Sequence, residues 1–467
     1  MKSRMPNLYR FARASRLPLK LLALAQASAL LAAATHSAPA AAAPPNIILI
    51  LADDFGYECV TANGGQSYQT PHLDRLAATG MRFERCHSQP LCTPTRVQLM
   101  TGQYNVRNYL NFGTLLRSET TFAQLLKKAG YATGVCGKWQ LGKEQDSPQH
   151  LGFDESLLWQ QTRLPPRYAN PGLELQGEEK AYPEGSYGPA IINDFALDFV
   201  TRHKERPFFL YYPMILPHDP FQPTPESPDW DPKARGERVN NHTRHFADMV
   251  AYMDKMIGQL DAKLAELDIR DNTLLLFLGD NGTHQSVTSR FRGADYRGGK
   301  GTTTRRGHHV PFIASWPAVM QQGRVSRDLI CTTDFLPTLC EASGIPVPTD
   351  CDGVSFLPQL RGESGIPRDA LYIWYSHRWY APPKPPDLTV HEFAFDHDHK
   401  LYRTGQFFDL KTDPDERSAL TTLTPGQAEA RDRLQAVLDQ YKDARPAHLD
   451  NFSLKPLETA QGHGAKP

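Results

Sequence analysis

Cys92 opens the segment Cys92-Thr93-Pro94-Thr95-Arg96, in which Thr93 and Pro94 read as the N-cap and first position of a helix. Unpaired backbone N–H groups at such a start favour an anion, and Arg96 adds a fixed positive charge nearby. Asp53 and Asp54 lie far away in sequence, after the apolar run 46–51, and Asp280-Asn281-Gly282 follows a second run at 273–278. Both runs are too short for helices and read as buried strands. Ligands of open α/β sheets bind beyond the carboxyl ends of strands. Asp53, Asp54, Asp280 and Asn281 can therefore converge there, together with His218, which follows the run 208–212. Their carboxylate and amide oxygens suit one hard cation such as Ca²⁺ better than Zn²⁺. Each feature alone also has an ordinary meaning: Asp-Asp is a common helix cap, Asp-Asn-Gly a common turn, and a cysteine before a helix can be buried or disulfide-bonded.

The elements that must hold these residues alternate short apolar strands with capped helices, the pattern of an α/β layer fold. Thr70-Pro71 opens a helix with Leu73, Leu76 and Ala77 on one face and Gly80 as its stop. Residues 121–129 repeat that pattern before a strand over 131–136. The longest helix carries Phe246, Met249, Val250, Met253, Ile257, Leu260, Leu264 and Leu267 at three- and four-residue steps, and a turn at Asp271-Asn272 leads into the strand before Asp280. Two domains are expected, a large α/β domain over 45–365 and a smaller C-terminal α+β domain over 366–443. The latter closes with a helix opened by Thr424-Pro425, with Ala430, Leu434, Val437, Leu438 and Tyr441 on one face. Pro/Gly-rich stretches at 165–188 and 382–386 read as loops, and 444–467 as a weakly ordered tail.

Composition narrows the classes. The 467 residues carry 51 basic and 51 acidic side chains, so no global field gathers nucleic acid or anionic lipid, and function must reside in a local site. Residues 1–43 read as a secretory signal peptide: basic residues from Lys2 to Lys20 precede an apolar run at 21–34 and the Ala-rich stretch 38–43. That run is too short for a stable membrane span, so a periplasmic or secreted location is expected. Seven cysteines, an odd number in an oxidising compartment, leave one needing another explanation.

The chain resembles the formylglycine-dependent type I sulfatases of the alkaline phosphatase-like superfamily. The Cys-x-Pro-x-Arg signature at Cys92–Arg96 carries the resemblance, and other motifs follow in order: Pro45-Asn46-Ile47-Ile48 through Asp54, Thr70-Pro71-His72-Leu73-Asp74, Gly130-Tyr131-Ala132-Thr133 and Gly137-Lys138-Trp139-Gln140-Leu141-Gly142. Pro217-His218, Gly279-Asp280-Asn281-Gly282, Lys300-Gly301 and Phe407-Phe408-Asp409-Leu410 complete it. It implies a large mixed sheet flanked by helices with a smaller C-terminal α+β domain. It also implies that a maturation enzyme, the formylglycine-generating one, oxidises Cys92 to formylglycine (3-oxoalanine), whose hydrated aldehyde is the nucleophile. By the same resemblance Asp53, Asp54, Asp280, Asn281 and the oxygen of modified Cys92 hold Ca²⁺. Lys138 and Lys300 contact the sulfate oxygens, Arg96 holds the hydrated aldehyde, and His218 protonates the leaving alcohol. With Cys92 modified, six thiols remain that could pair, while Cys86 and Cys136 can equally be buried free thiols.

Three positions depart from the family pattern. Thr95 replaces a frequent serine, and Arg305, Arg306, Gly307, His308 and His309 replace an acidic, glycine-rich stretch. Gln140 stands where many members have histidine, and glutamine cannot take a proton at neutral pH. His284, four residues after Asp280, is the motif-linked candidate to supply that base, its alternative roles being substrate binding or capping of the loop, with His308 and His309 less securely placed. Arg290, Arg292, Arg297, Arg305 and Arg306 around Lys300, and the aromatic and cationic residues Trp374, Tyr375, His377, Arg378, Trp379 and Tyr380, can equally be a solvated basic face with core aromatics or a surface for a sulfated carbohydrate, and the expected substrate is that carbohydrate rather than a small aryl sulfate. Two alternatives stand beside this reading: a phosphonate or phosphate ester hydrolase on the same scaffold, and a non-catalytic sulfoglycan-binding relative.

Overall fold

In the computed structural model, residues 43–235, 243–376, 388–449 and 452–454 are described. The expected signal segment and the positions His377, Arg378, Trp379 and Tyr380 lie outside them. The described residues from Pro44 onward form one compact unit. Its centre is an 11-stranded sheet in which Thr273–Gly279, Asn46–Ala52, Phe208–Pro213, Ala132–Lys138 and Glu155–Trp159 lie side by side and parallel. His309–Ser315 and Met81–His87 extend it on one side, the first antiparallel to both neighbours. Leu173–Leu175 and Glu178–Lys180 extend it on the other side, so the stretch expected to be loop at 165–188 contributes two short edge strands.

The three strands Asn46–Ala52, Phe208–Pro213 and Thr273–Gly279 are almost continuously apolar because both sheet faces are covered. Ile47, Leu49 and Leu51 face one core, with Val97, Leu99, Phe122 and the C-terminal sheet; Ile48, Ile50 and Ala52 face the other, with Leu73, Leu76, Phe246, Met253 and Leu260. The amphipathic stripe of the long helix Phe246–Glu266 thus serves as expected. The second sheet pairs Leu371–Ser376, Leu388–Phe395, His399–Tyr402 and Phe407–Asp409 antiparallel, and Phe452–Leu454, within the segment expected to be a tail, adds to it in parallel. The helix Pro425–Gln440 begins with a capping box of Thr424 and Gln427 and buries Ala430, Leu434 and Leu438.

Trp374 and Tyr375 lie in this core, each 1% exposed, which removes them from any sugar-stacking surface. All seven cysteines are free thiols, so the six outside position 92 form no disulfide. No helix among the described residues is long and apolar enough to cross a membrane.

His308 and His87 are buried where the strands Met81–His87 and His309–Ser315 meet, with their Nδ1 atoms 3.0 Å apart, so one ring donates to the other. Burial, reinforced by neighbouring positive groups, holds both well below the ordinary imidazole range. The unfolded chain therefore binds protons near pH 6.5 that the folded chain refuses. Stability is highest above that pH and falls as pH drops below it, by up to about 1.4 kcal/mol per pH unit for each ring. The melting temperature is expected to decline steadily from pH 7 to pH 5, and less steeply in His308→Gln. Equal slopes for the two proteins would assign the acid sensitivity elsewhere.

Candidate active site

Strand register explains why the acidic residues meet. Ala52 pairs with Gly279, so Asp53 and Asp280 emerge side by side at adjacent carboxyl ends. Asp54, in the left-handed region at φ +61°, donates its backbone N–H to Asp280 Oδ1 at 3.0 Å. Asn281 Nδ2 donates to Asp54 Oδ1 at 2.8 Å. Lys138 ends its strand two positions across the sheet. Gly137 before it has φ +128°, and a Cβ there would lie 1.8 Å from the Pro213 carbonyl oxygen, so only glycine permits this approach.

Cys92 is the first residue of the helix Cys92–Thr101, with Leu91 as its N-cap, two residues earlier than the expected Thr93 cap. Thr93 and Thr95 turn instead to neighbouring segments. Thr95 donates to the Asp280 carbonyl at 2.7 Å, so the threonine keeps a hydroxyl that ties this helix to the acidic strand end. One ligating atom from each of Asp53, Asp54, Cys92 and His218 lies within 4.8 Å of the others. Three buried cations surround them. Lys138 Nζ is 2.8 Å from Asp53 and 3.2 Å from Cys92 Sγ; Lys300 Nζ is 2.5 Å from Asp54; Arg96 is 3.0 Å from Asp280 and 3.9 Å from Asp53.

The electrostatics follow from dryness and crowding. Burial pushes the Asp53 carboxyl up, but Lys138 foremost, with Arg96 also near, holds it well below the usual range. Asp54 and Asp280 are raised by burial, and repulsion from Asp53 adds to both. Burial pushes the Cys92 thiol up to about 12, so it is not a thiolate at neutral pH. Lys300 is penalised by burial yet raised overall by Asp54. His218 is held well below the ordinary range by burial and by Lys300, and is therefore neutral.

The orientation of His218 and of its neighbour Lys300 is set by contacts that the sequence does not announce. Its Nδ1 lies 2.6 Å from the Asp219 carbonyl oxygen and so carries the proton, leaving an Nε2 lone pair facing Lys300 Nζ at 3.0 Å. The Tyr168 hydroxyl fastens this segment by donating to the carbonyls of Ile215 and His218. Tyr375, from the C-terminal sheet, donates to the Gly301 carbonyl beside Lys300. No local motif marks Tyr168, and Tyr375 lies in the aromatic stretch expected to meet sugar; both act across long sequence separations.

Gln140 is held at φ +63°, accepting from the Thr93 hydroxyl at 3.2 Å and donating to Gln160 at 3.3 Å. His284 is not in the hydrogen-bonded cluster: its Nδ1 lies 2.8 Å from Ser286 Oγ and its ring packs edge-on to Phe221. His308 bonds to His87, and His309 lies 2.9 Å from the Glu84 carbonyl, so both are engaged with the strand Met81–His87.

The chemistry of the donor set fits a hard cation. Asn281 Oδ1 is buried without a hydrogen-bond partner among the described residues, and the carboxylates beside it are raised by burial and mutual repulsion.

Comparison with known proteins gives the same answer by an independent route. Residues 45–345 match the Sulfatase family model, and residues 302–444 match that of the C-terminal region of N-sulphoglucosamine sulphohydrolase. The chain is 34% identical to arylsulfatase A of Bos taurus over 378 residues, covering 72% of each chain. It is 29% identical to human N-acetylgalactosamine-6-sulfatase over 466 residues, covering 86% of each. Its fold matches that of a protein solved in complex with its substrate D-glucosamine-2-N,6-O-disulfate, with TM-score 0.69 and 22% identity over 86% of this chain and 98% of that one. Family match and relatives agree with what the buried cysteine, carboxylates and lysines are equipped to do: the chain belongs to the sulfatase family, within the alkaline phosphatase-like superfamily, and is a sulfuric ester hydrolase.

Proposed function

We propose that the chain hydrolyses a sulfate ester on a sulfated carbohydrate, with Cys92 converted to formylglycine by a maturation enzyme and one calcium ion held by Asp53, Asp54, Asp280, Asn281 and the residue-92 oxygen. The observation that carries this reading is the convergence of Cys92 with Asp53 and Asp54 inside a ring of three buried cations. The relatives named for a sulfated aminosugar support the carbohydrate. The basic start of the chain and its Ala-rich stretch support export, to the periplasm or outside the cell.

When bound, calcium would polarise the sulfate, and formylglycine at position 92 would supply a hydrated-aldehyde hydroxyl as nucleophile. Lys138 and Lys300 neutralise the sulfate oxygens from opposite carboxylates, which preorganises positive charge where negative charge develops. Arg96 fixes Asp280 and acts electrostatically on residue 92. The leaving alcohol takes its proton through the Lys300–His218 pair. Lys300, kept protonated by Asp54, donates to His218 Nε2, the only ring atom free to exchange because Nδ1 is committed to Asp219. The same Nε2 lone pair is the proton acceptor that Gln140 cannot be. We assign that step to His218 in preference to His284, whose ring is bonded to Ser286. Gln140 positions Thr93.

The matured protein is expected to turn over at least one sulfated monosaccharide with a higher kcat/KM than 4-nitrophenyl sulfate, and to prefer 4-nitrophenyl sulfate to the matched phosphate. Preference for the aryl sulfate over every sulfated sugar would overturn the carbohydrate reading. Sugar binding without turnover by protein carrying formylglycine would turn it toward a sulfoglycan-binding role.

A further inference from the structure

A cavity of about 300 Å³ opens beside the catalytic cluster and shares none of its residues. Its walls bring together Arg85, Arg292 and Arg305 with the rings of Tyr57, Phe291 and Tyr296. We infer that this cavity is a second anion-binding site, taking a sulfate or carboxylate group carried on a saccharide. The saccharide rests on the function proposed above; the anion does not.

The charge balance of the walls carries the inference. Each acidic group there is already engaged. Asp415 pairs with Arg306 at 2.8 Å and with Arg417 at 3.1 Å, and Glu84 with Arg82 at 3.4 Å and Arg327 at 3.3 Å. Glu58 is buried and accepts from the Thr283 hydroxyl at 2.5 Å, and burial raises its carboxyl. By contrast, Arg85, Arg292 and Arg305 have no carboxylate partner among the described residues. Arg305 donates one NH2 to the His397 carbonyl at 2.5 Å, yet its buried Nε has no partner. Burial foremost, and then the neighbouring Arg85, lower Arg305 to about 10 against the opposing pull of Tyr296, Asp398 and Glu416.

The site is built rather than incidental. Tyr57 is fixed by stacking on His309, with ring centroids 4.2 Å apart, and Arg82 Nη1 lies 3.0 Å from its hydroxyl. Arg306 lies 4.4 Å over Tyr296 and Arg292 lies 5.0 Å over Phe291, so the rings have fixed faces. Guanidinium groups recognise the planar edge of a carboxylate or two oxygens of a sulfate, and aromatic faces cover the apolar face of a sugar. The wall is continuous with the catalytic loop, since Thr283, bonded to Glu58, stands two residues after Asn281. A substrate with two anionic groups would engage both places.

The test uses the full chain carrying Cys92→Ala, which does not turn over, and calorimetric titration with a chondroitin 6-sulfate tetrasaccharide. Adding Arg85→Gln, or separately the exposed Arg292→Gln, is expected to weaken binding about tenfold at an unchanged melting temperature. Unchanged affinity in both would overturn the site, and the exposed position of Arg292 keeps the test valid if the Arg85 variant fails to fold. The desulfated tetrasaccharide separates the two anions. An arginine-dependent loss of affinity with it identifies a carboxylate, and a loss confined to the sulfated probe identifies a sulfate. Inorganic sulfate bound as tightly as the tetrasaccharide, with the same arginine dependence, would overturn the saccharide. Arginine-dependent binding in a chain whose unmutated form hydrolyses no sulfated sugar would leave this site standing and remove the proposed function. Hydrolysis with arginine-independent binding would do the reverse.

Discussion

Replacing Cys92 by alanine is expected to lower kcat for a sulfate ester by about 10⁴-fold or more while leaving the fold intact. The side chain is small and buried, and its polar contact is the Lys138 ammonium at 3.2 Å, so truncation removes few packing contacts. As a thiol pushed up to about 12, Cys92 is a poor nucleophile at neutral pH. Turnover should therefore track conversion of the residue, which mass spectrometry of the peptide spanning Cys92 reads as CH₂SH replaced by CHO. Protein with full activity and wholly unmodified cysteine would refute the proposal. Cys92→Ser is expected to be as inactive as alanine, because a serine alcohol has one hydroxyl where a hydrated aldehyde has two. Unchanged melting temperatures in both variants would show that the loss is chemical.

The residues of the cluster were legible in the sequence because chemistry at strand ends is written locally. Asp53-Asp54, Asp280-Asn281, Lys138 and His218 each follow a short apolar run, and parallel pairing then leaves little freedom in where they meet. Features that depend on contacts between distant segments were not legible. Leu371–Ser376 reads as an aromatic stretch that could equally stack on sugar, and only the covering of both faces of its sheet assigns Trp374 and Tyr375 to the core. His284 is sequence-close to Asp280, yet the chain turns its ring toward Ser286 and Phe221. Arg85 sits on an ordinary strand, and nothing in its neighbours announces that Arg305 will be folded against it.

The second large effect is expected at Arg96. Its side chain is fully buried, with one Nη donating to the Lys138 carbonyl at 2.9 Å and the other to Asp280 at 3.0 Å, the latter also 3.9 Å from Asp53. Arg96→Met keeps much of the volume but leaves two carboxylates in a dry pocket short of a charge, one of them already raised by burial and by Asp53. Removing one partner of a buried pair costs about 3–5 kcal/mol, so unfolding in denaturant should shift by about that amount. Catalysis should fall by at least about 10²-fold, since the fixed cation acting on residue 92 is lost. Arg96→Lys keeps the charge but cannot reach the Lys138 carbonyl and Asp280 together, so its stability should lie between the two. The pairing with Asp280 → Asn separates structure from chemistry. The double variant Arg96→Met with Asp280→Asn has no unpaired Asp280 charge and should recover part of the lost stability, the double-mutant cycle showing coupling above about 1 kcal/mol. It should recover none of the activity, because Asp280 is itself proposed to hold the calcium ion. Activity restored along with stability would make Arg96 a purely structural counter-ion, and additive losses in stability would mean that the buried pair is not coupled.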